Sequence, residues 1–134
     1  MDVNEQIHAA MPLCKTIGIV TRTWQPDLVE MELAWDESLC TSAALMHGGA
    51  VMALADSAGG ACAAANLPKE AVGTSTIESK TNFLGAVTDG TAVATARPLH
   101  VGGMTIVIET EVRHEDRLVA KVTQTQAVLR PRPG

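Results

Sequence analysis

Hydrophobic and polar positions along the chain change their period, and each change marks an element. In "LVEMELAW" (28–35), Val29, Met31, Leu33 and Trp35 share one face while Glu30 and Glu32 take the other, the two-residue period of a half-buried strand. "IGIVTRTW" (17–24) precedes it across Pro26-Asp27, so the two read as strand, turn, strand. From His47 to about residue 65 the spacing becomes helical: Val51, Leu54, Ala55, Ala58 and Cys62 fall on one stripe, and Asn66 and Pro68 close the run. Four segments of 12 to 14 residues, dominated by Thr, Val and Ile, follow at 73–84, 90–101, 104–115 and 117–130. Asp89-Gly90, Gly102-Gly103 and Glu115-Asp116 separate them, which predicts hairpins between antiparallel neighbours. Residues 4–11 fit a short helix ending before Pro12, and 36–45 lacks a period and reads as loop.

One long helix among antiparallel strands is an α+β arrangement, a single domain over residues 1–134. Such a sheet leaves open edges, and pairing with a second copy is the simplest way to cover them. Gly59-Gly60 lower the helix propensity, and tight packing against a closely wrapped surface is the structural reason to tolerate them.

Composition narrows the function classes. Apolar residues make up 46% of the 134, enough for a core, but the only aromatics are Trp24, Trp35 and Phe83. A net charge of −5 with no basic run argues against a nucleic-acid backbone as partner, Arg130 and Arg132 being too few. "MDVNEQIHAAMPLCK" lacks a basic stretch followed by an apolar one, and no run of 18 apolar residues occurs, so neither a secretory signal nor a membrane span is expected. Cys14, Cys40 and Cys62 are widely spaced and odd in number, which reads as buried free thiols in a reducing cytoplasm, with no metal motif.

The candidate chemistry lies at the start of the helix, in "LMHGGAVMALAD" (45–56). Asp56 and Ser57 are the only polar side chains between Ala50 and Ala65. A carboxylate buried on so apolar a helix needs partners, and it has the chemistry of a nucleophile or a general base; a polar residue on the solvent side is the structural alternative. Gly48 and Gly49 sit where helix amides have no intrahelical partner, a place for an oxyanion hole or simply for a tight loop-to-helix turn. His47 either contacts substrate or holds the loop.

"HGGAVMALAD" followed by "GTSTIESKTNFLGAV" resembles the hot-dog-fold acyl-CoA thioesterases of the phenylacetate-degradation (PaaI-type) group: His-Gly-Gly, six residues, Asp, then a strand carrying Asn-Phe-Leu. The order of elements agrees from about residue 12 to 130. The resemblance implies an antiparallel sheet of five to six strands wrapped around one long central helix, joined as a homodimer and often as a homotetramer. It implies hydrolysis of an acyl-CoA without any cofactor, CoA being part of the substrate. By motif, Gly48 supplies the oxyanion-hole amide, Asp56 activates water or attacks the carbonyl, and His47 orients the carbonyl. A hydroxyl on the following strand supports the water; Thr76 matches best, with Thr74 and Ser75 as neighbours in register. Gly49 and Phe83 fall among the substrate-binding positions, and "PLHVGGMT" (98–105) matches a loop that meets the CoA phosphates, which points to Arg97, His100, Gly102 and Gly103. One departure stands out: six residues before the histidine the group often has Asn, or Gln in related hydroxybenzoyl-CoA thioesterases, whereas this chain has Thr41, a shorter hydroxyl.

Spacing adds a constraint of its own. Gly48 and Asp56 are eight residues apart, about 12 Å along a helix axis, too far for both to reach one carbonyl. Two antiparallel helices side by side remove the difficulty, so the spacing predicts a site shared across a dimer. The competing readings are a hot-dog hydratase or dehydratase, for which no matching His motif is found, and a non-catalytic acyl-CoA-binding domain.

Overall fold

The computed structural model describes residues 1–133. Two short helices, α1 (Val3–Ala10) and α2 (Pro12–Ile17), lead into β1 (Ile19–Gln25) and β2 (Leu28–Ala34). Helix α3 (Gly48–Ala65) follows, then β3 (Gly73–Phe83), β4 (Thr91–Val101), β5 (Thr105–His114) and β6 (Arg117–Leu129). The six strands form one antiparallel sheet in the order β1-β2-β4-β5-β6-β3, with α3 packed against it. The α+β expectation therefore holds, at the upper end of the strand count.

The inner face of the sheet follows from the two-residue period. Val29, Met31 and Leu33 of β2, Ala92, Ala94 and Ala96 of β4, and Ile106, Ile108 and Val112 of β5 are all buried. They meet Val51, Leu54, Ala55, Ala58 and Cys62, the predicted stripe of α3. Small side chains on both β4 and α3 let the helix lie close to the middle of the sheet, while Leu54, Ile106 and Ile108 supply bulk at about 1.5–3 kcal/mol per buried side chain. The outer face is polar: Lys121 pairs with Glu109 at 2.8 Å and Arg113 with Glu111 at 2.8 Å. The hydrogen bond from Arg113 holds the Glu111 carboxyl below its usual value, and the bond to Glu109 raises Lys121.

Three expectations need correction. The strands at 73–84 and 90–101 are not a hairpin: β3 pairs with β6 at the far edge, and β4 lies between β2 and β5. The turn signal at Asp89-Gly90 is real, since Gly90 has φ +64, but it ends a crossover rather than closing a hairpin. That crossover (84–90) is fixed by Val87 O accepting from Met46 N at 2.9 Å and Gly90 O accepting from Trp35 N at 2.7 Å. The second correction is α2, which continues beyond the break at Pro12 because proline fits the first turn of a helix. The third concerns the thiols: Cys14 and Cys62 are buried, but Cys40 is only half-buried.

The two sheet edges differ. Helix α1 covers β1: Asn4 Oδ1 accepts from Thr21 N at 2.9 Å, and His8 Nε2 lies 2.7 Å from Ile19 O. Among the described residues nothing covers β3, whose other side carries no strand. Ile77 and Phe83 on β3, Val72 and Leu84 beside it and Met52 on α3 are all exposed.

Candidate active site

The start of α3 is held from two sides. His47 N donates to Leu39 O at 2.8 Å and Met46 N to Val87 O at 2.9 Å. His47 then caps the helix with its own ring: Nδ1 accepts from Gly49 N at 2.7 Å. As an acceptor Nδ1 carries no proton, which leaves the ring proton on Nε2, facing outward as a donor. The Gly49 amide is thereby used inside the chain, whereas the Gly48 amide meets no acceptor among the described residues. Phe83 lies over Gly48; a Cβ there would stand 3.2 Å from Phe83 Cζ. Beside His47 a cavity of about 290 Å³ opens against Leu39, Cys40, Gly49, Ala50 and Ala53.

Two turns further along the helix, Asp56 faces a separate cavity of about 340 Å³, walled by Met11, Trp24, Gly60, Ala61 and Thr76 among others. The carboxylate is exposed in the single chain rather than buried, so the expected burial does not hold: the apolar stripe of α3 faces the sheet, and Asp56 lies off it. Its partners come from the sheet. Thr76 Oγ1 donates to Asp56 Oδ1 at 3.4 Å and Gln124 Nε2 donates to the same oxygen at 3.3 Å. Gln126 Nε2 donates to Thr76 Oγ1 at 2.6 Å, and Thr74 Oγ1 donates to Gln126 Oε1 at 2.7 Å. These bonds anchor Oδ1 and leave Oδ2 without a partner among the described residues. A register break between Thr76 and Glu78 bulges β3 next to this network, the kind of irregularity that re-aims a side chain. Trp24 closes one wall by donating from Nε1 to Ala61 O at 2.8 Å.

A glycine makes the network possible. A Cβ at Gly59 would stand 1.8 Å from Gln124 Oε1, so only glycine lets that amide lie against the helix. Close packing thus accounts for Gly59. It does not account for Gly60, where a Cβ would meet nothing within 4 Å.

The profile of the thioesterase superfamily matches residues 44–121, more than half of the chain and all of the segment from His47 through β3. This chain belongs to the thioesterase superfamily. A Vibrio cholerae protein provisionally named an esterase is 36% identical over 93 residues, 67% of this chain. The match covers 60% of that relative, so the chain spans less than two thirds of its length. A conserved protein from Pseudomonas aeruginosa superimposes with a TM-score of 0.86 at 32% identity, over 96% of this chain and 100% of that one. A thioesterase family protein from Silicibacter pomeroyi does so with a TM-score of 0.86 at 26% identity, over 95% and 96% of the two chains.

Within this superfamily member, the residues singled out from sequence divide into groups. Asp56, Thr74, Ser75 and Thr76 line one cavity. His47 and Gly49 line the other, and Phe83 packs on Gly48. Thr41 lines neither; its amide donates to Leu45 O and its neighbour Cys40 borders the His47 cavity. Arg97 lies on the outer face beside Glu109, Glu111 and Lys121, across the sheet from α3. His100, Gly102 and Gly103 sit at the β4–β5 turn, where Gly103 O accepts from Arg130 at 2.8 Å. Sequence reasoning missed Gln124 and Gln126. The signal was present: in "AKVTQTQ" (120–126) both share a face with the core residue Val122, which puts two amides on the buried side of a strand.

Proposed function

We propose that the chain hydrolyses an acyl-CoA thioester to the free acid and CoA, at a site completed by a second copy. The observation that carries the reading is the division of labour along α3: an unpaired Gly48 amide at its start, and two turns later a carboxylate tethered through Oδ1 with Oδ2 free. In the proposed site Asp56 Oδ2 takes a proton from water as the water attacks the thioester carbonyl. The oxyanion forms against the partner subunit's Gly48 amide, with Nε2 of the partner's His47 donating to the same oxygen. Collapse expels the CoA thiolate, which the proton held by Asp56 neutralises. Direct attack by Oδ2, which breaks the C–S bond, expels the CoA thiolate and leaves a mixed anhydride that water then opens to the free acid and the Asp56 carboxylate, uses the same groups.

The dimer rests on the geometry of one chain. The uncovered edge of β3 offers unpaired backbone groups, and the exposed Met52, Ile77 and Phe83 extend an apolar surface beside it. Joining β3 to β3 sets two α3 helices antiparallel, Gly48 of one beside Asp56 of the other. A homotetramer built from two such dimers is the larger assembly that the resemblance to the PaaI-type group implies; sedimentation velocity separates the two states. The acyl group occupies the cavity beside Asp56, whose Trp24, Met11 and alanine walls suit an aryl or an aliphatic chain alike. No cofactor enters the chemistry, and the proposed setting is the cytoplasm.

Subunit complementation tests the shared site. Asp56→Ala removes the acid and Gly48→Pro removes the amide donor. His47 has φ −60 and ψ 136, the extended conformation that a residue before proline requires, so the second change fits the backbone. Each homodimer alone is expected to lose activity by roughly 100-fold or more. In a heterodimer one of the two sites is whole. Random pairing makes about half of the dimers mixed, so roughly a quarter of wild-type thiol release is expected to return. Inactive heterodimers from two folded, dimeric variants would refute the arrangement.

A further inference from the structure

Away from both cavities along α3, the 84–90 crossover meets the β5–β6 hairpin. An open cavity of about 500 Å³ lies between them, lined by Thr88, Asp89, His114, Glu115, Asp116 and Arg117. Asp89, His114 and Glu115 each bring one potential ligand atom to within 4.8 Å of the other two. His114 is only 7% exposed, and its Nε2 has no hydrogen-bond partner among the described residues. Asp89 Oδ1 is 3.2 Å from that nitrogen, yet it lies off the axis along which the ring would donate a proton. A buried ring nitrogen left in this state is unusual, because buried polar atoms are nearly always satisfied. The spacing has another meaning: two ligands bound tetrahedrally at about 2.0–2.1 Å from one zinc ion stand about 3.3 Å apart. Gly90 keeps the approach open, since a Cβ there would stand 3.1 Å from Nε2.

We propose that Asp89, His114 and Glu115 form a binding site for one divalent cation of the zinc class. One imidazole and two carboxylates make a mixed nitrogen and oxygen set, which suits Zn²⁺, Co²⁺ or Ni²⁺ better than Mg²⁺ or Ca²⁺, whose sites are built from oxygen. Three protein ligands leave a fourth position for water. The local charge favours a cation: among the residues lining the cavity, Asp89, Glu115 and Asp116 face one guanidinium, Arg117, which is itself engaged by Ala86 O, while Arg113, which donates to Asp116 O at 3.3 Å, is paired with Glu111. Asp89 and Glu115 are exposed, so their side chains can close on an ion without disturbing the core. Nothing in the chain's local sequence pattern announces the site, because Asp89 and His114 lie 25 residues apart and only the sheet brings them together. A bound ion would clip the crossover to the hairpin. The same crossover holds Met46 N through Val87 O, one residue before His47, so the ion braces the start of α3 without touching a reacting group.

The test is direct metal binding by the full chain without any acyl-CoA. Zn²⁺ is titrated by calorimetry and Co²⁺ by its visible absorption bands. One ion per chain is expected, with a dissociation constant in the micromolar range, together with a melting temperature raised by several degrees at saturation. Asp89→Asn and Glu115→Gln are each expected to weaken binding about tenfold or more, and His114→Ala to abolish it. His100→Gln, on β4 and outside this cavity, is expected to leave it unchanged. His114 is buried, so its variant can fail to fold; the two exposed carboxylate variants then decide the matter. Absence of saturable binding below millimolar ion, or titrations of Asp89→Asn and Glu115→Gln that superimpose on wild type, would overturn the proposal and leave His114 and Asp89 as a simple polar contact.

Discussion

Two adjacent glycines in one helix are expected to respond to the same substitution with opposite signs. In a helix interior, Gly→Ala ordinarily stabilises by up to about 1 kcal/mol, because alanine restricts the unfolded chain and propagates the helix better. Gly60→Ala should gain close to that amount, since its Cβ meets nothing within 4 Å. At Gly59 the new Cβ stands 1.8 Å from Gln124 Oε1 and 2.4 Å from its Cδ. The amide must retreat by more than 1 Å to reach an ordinary contact, and Gln124 is fully buried, so it moves into packed neighbours. Overpacking of that kind costs about 1–3 kcal/mol. The move also breaks the bond from Gln124 Nε2 to Asp56, which at 3.3 Å sits near the low end of the 1.5–3 kcal/mol typical of hydrogen bonds to a charged group. After subtracting the propensity gain, Gly59→Ala should lose about 2–3 kcal/mol while Gly60→Ala gains up to about 1. Urea titration and thermal melting measure both; a gap of that size corresponds to roughly 10 °C in Tm for a chain of this length. Turnover should fall in Gly59→Ala as well, since Asp56 loses one of its two tethers. Equal midpoints for the two variants would show that the Gln124 amide does not lie against the helix.

The other expectations are shorter. Gln126→Leu keeps the volume but frees the Thr76 hydroxyl; losing one neutral positioning bond of about 1.5 kcal/mol should lower kcat roughly tenfold with KM little changed, and unchanged kcat would remove the Thr74–Gln126–Thr76 relay from the mechanism. Asp56→Asn keeps the shape but neither attacks nor accepts a proton, so thiol release from a panel of acyl-CoAs should drop by about 100-fold or more in a protein whose circular dichroism is unaltered. Thr41→Val should lower kcat only if that hydroxyl reaches the active site of a second copy; full activity on the best substrates would leave it a loop residue. Among the thiols, Cys40 should react first with a thiol reagent in native protein at pH 8. Cys62 should resist, because burial, reinforced by the charge of Asp27, pushes its thiol up to about 11 and keeps it protonated. Prompt labelling of Cys62 would contradict its buried placement.

Short-range order was legible in the sequence because its causes are short-range. The alternation of Val29, Met31 and Leu33 against Glu30 and Glu32 fixed a strand and its buried face together. The stripe through Val51, Leu54, Ala55, Ala58 and Cys62 fixed both the helix and its sheet-facing side, and the His47, Gly48, Gly49 and Asp56 spacing singled out the candidate site. Folding alone decided which strands became neighbours. β3 could have turned back on β4, but its place beside β6 depends on pairings with residues that lie 37 to 56 positions further along the chain, which no local period encodes. The loop 36–45 was equally opaque: it closes through the Cys40–Met46 bridge and through Ala43 and Ala44 at positive φ, a conformation that alanine does not favour on its own and that the surrounding bonds impose. Asp56 shows the division most clearly. A lone carboxylate on an apolar helix announced itself in the sequence, but its exposure, its tether to Thr76 and Gln124, and the glycine that admits that tether follow from how a helix and a distant strand meet, because packing and hydrogen bonding depend on distance in space rather than along the chain.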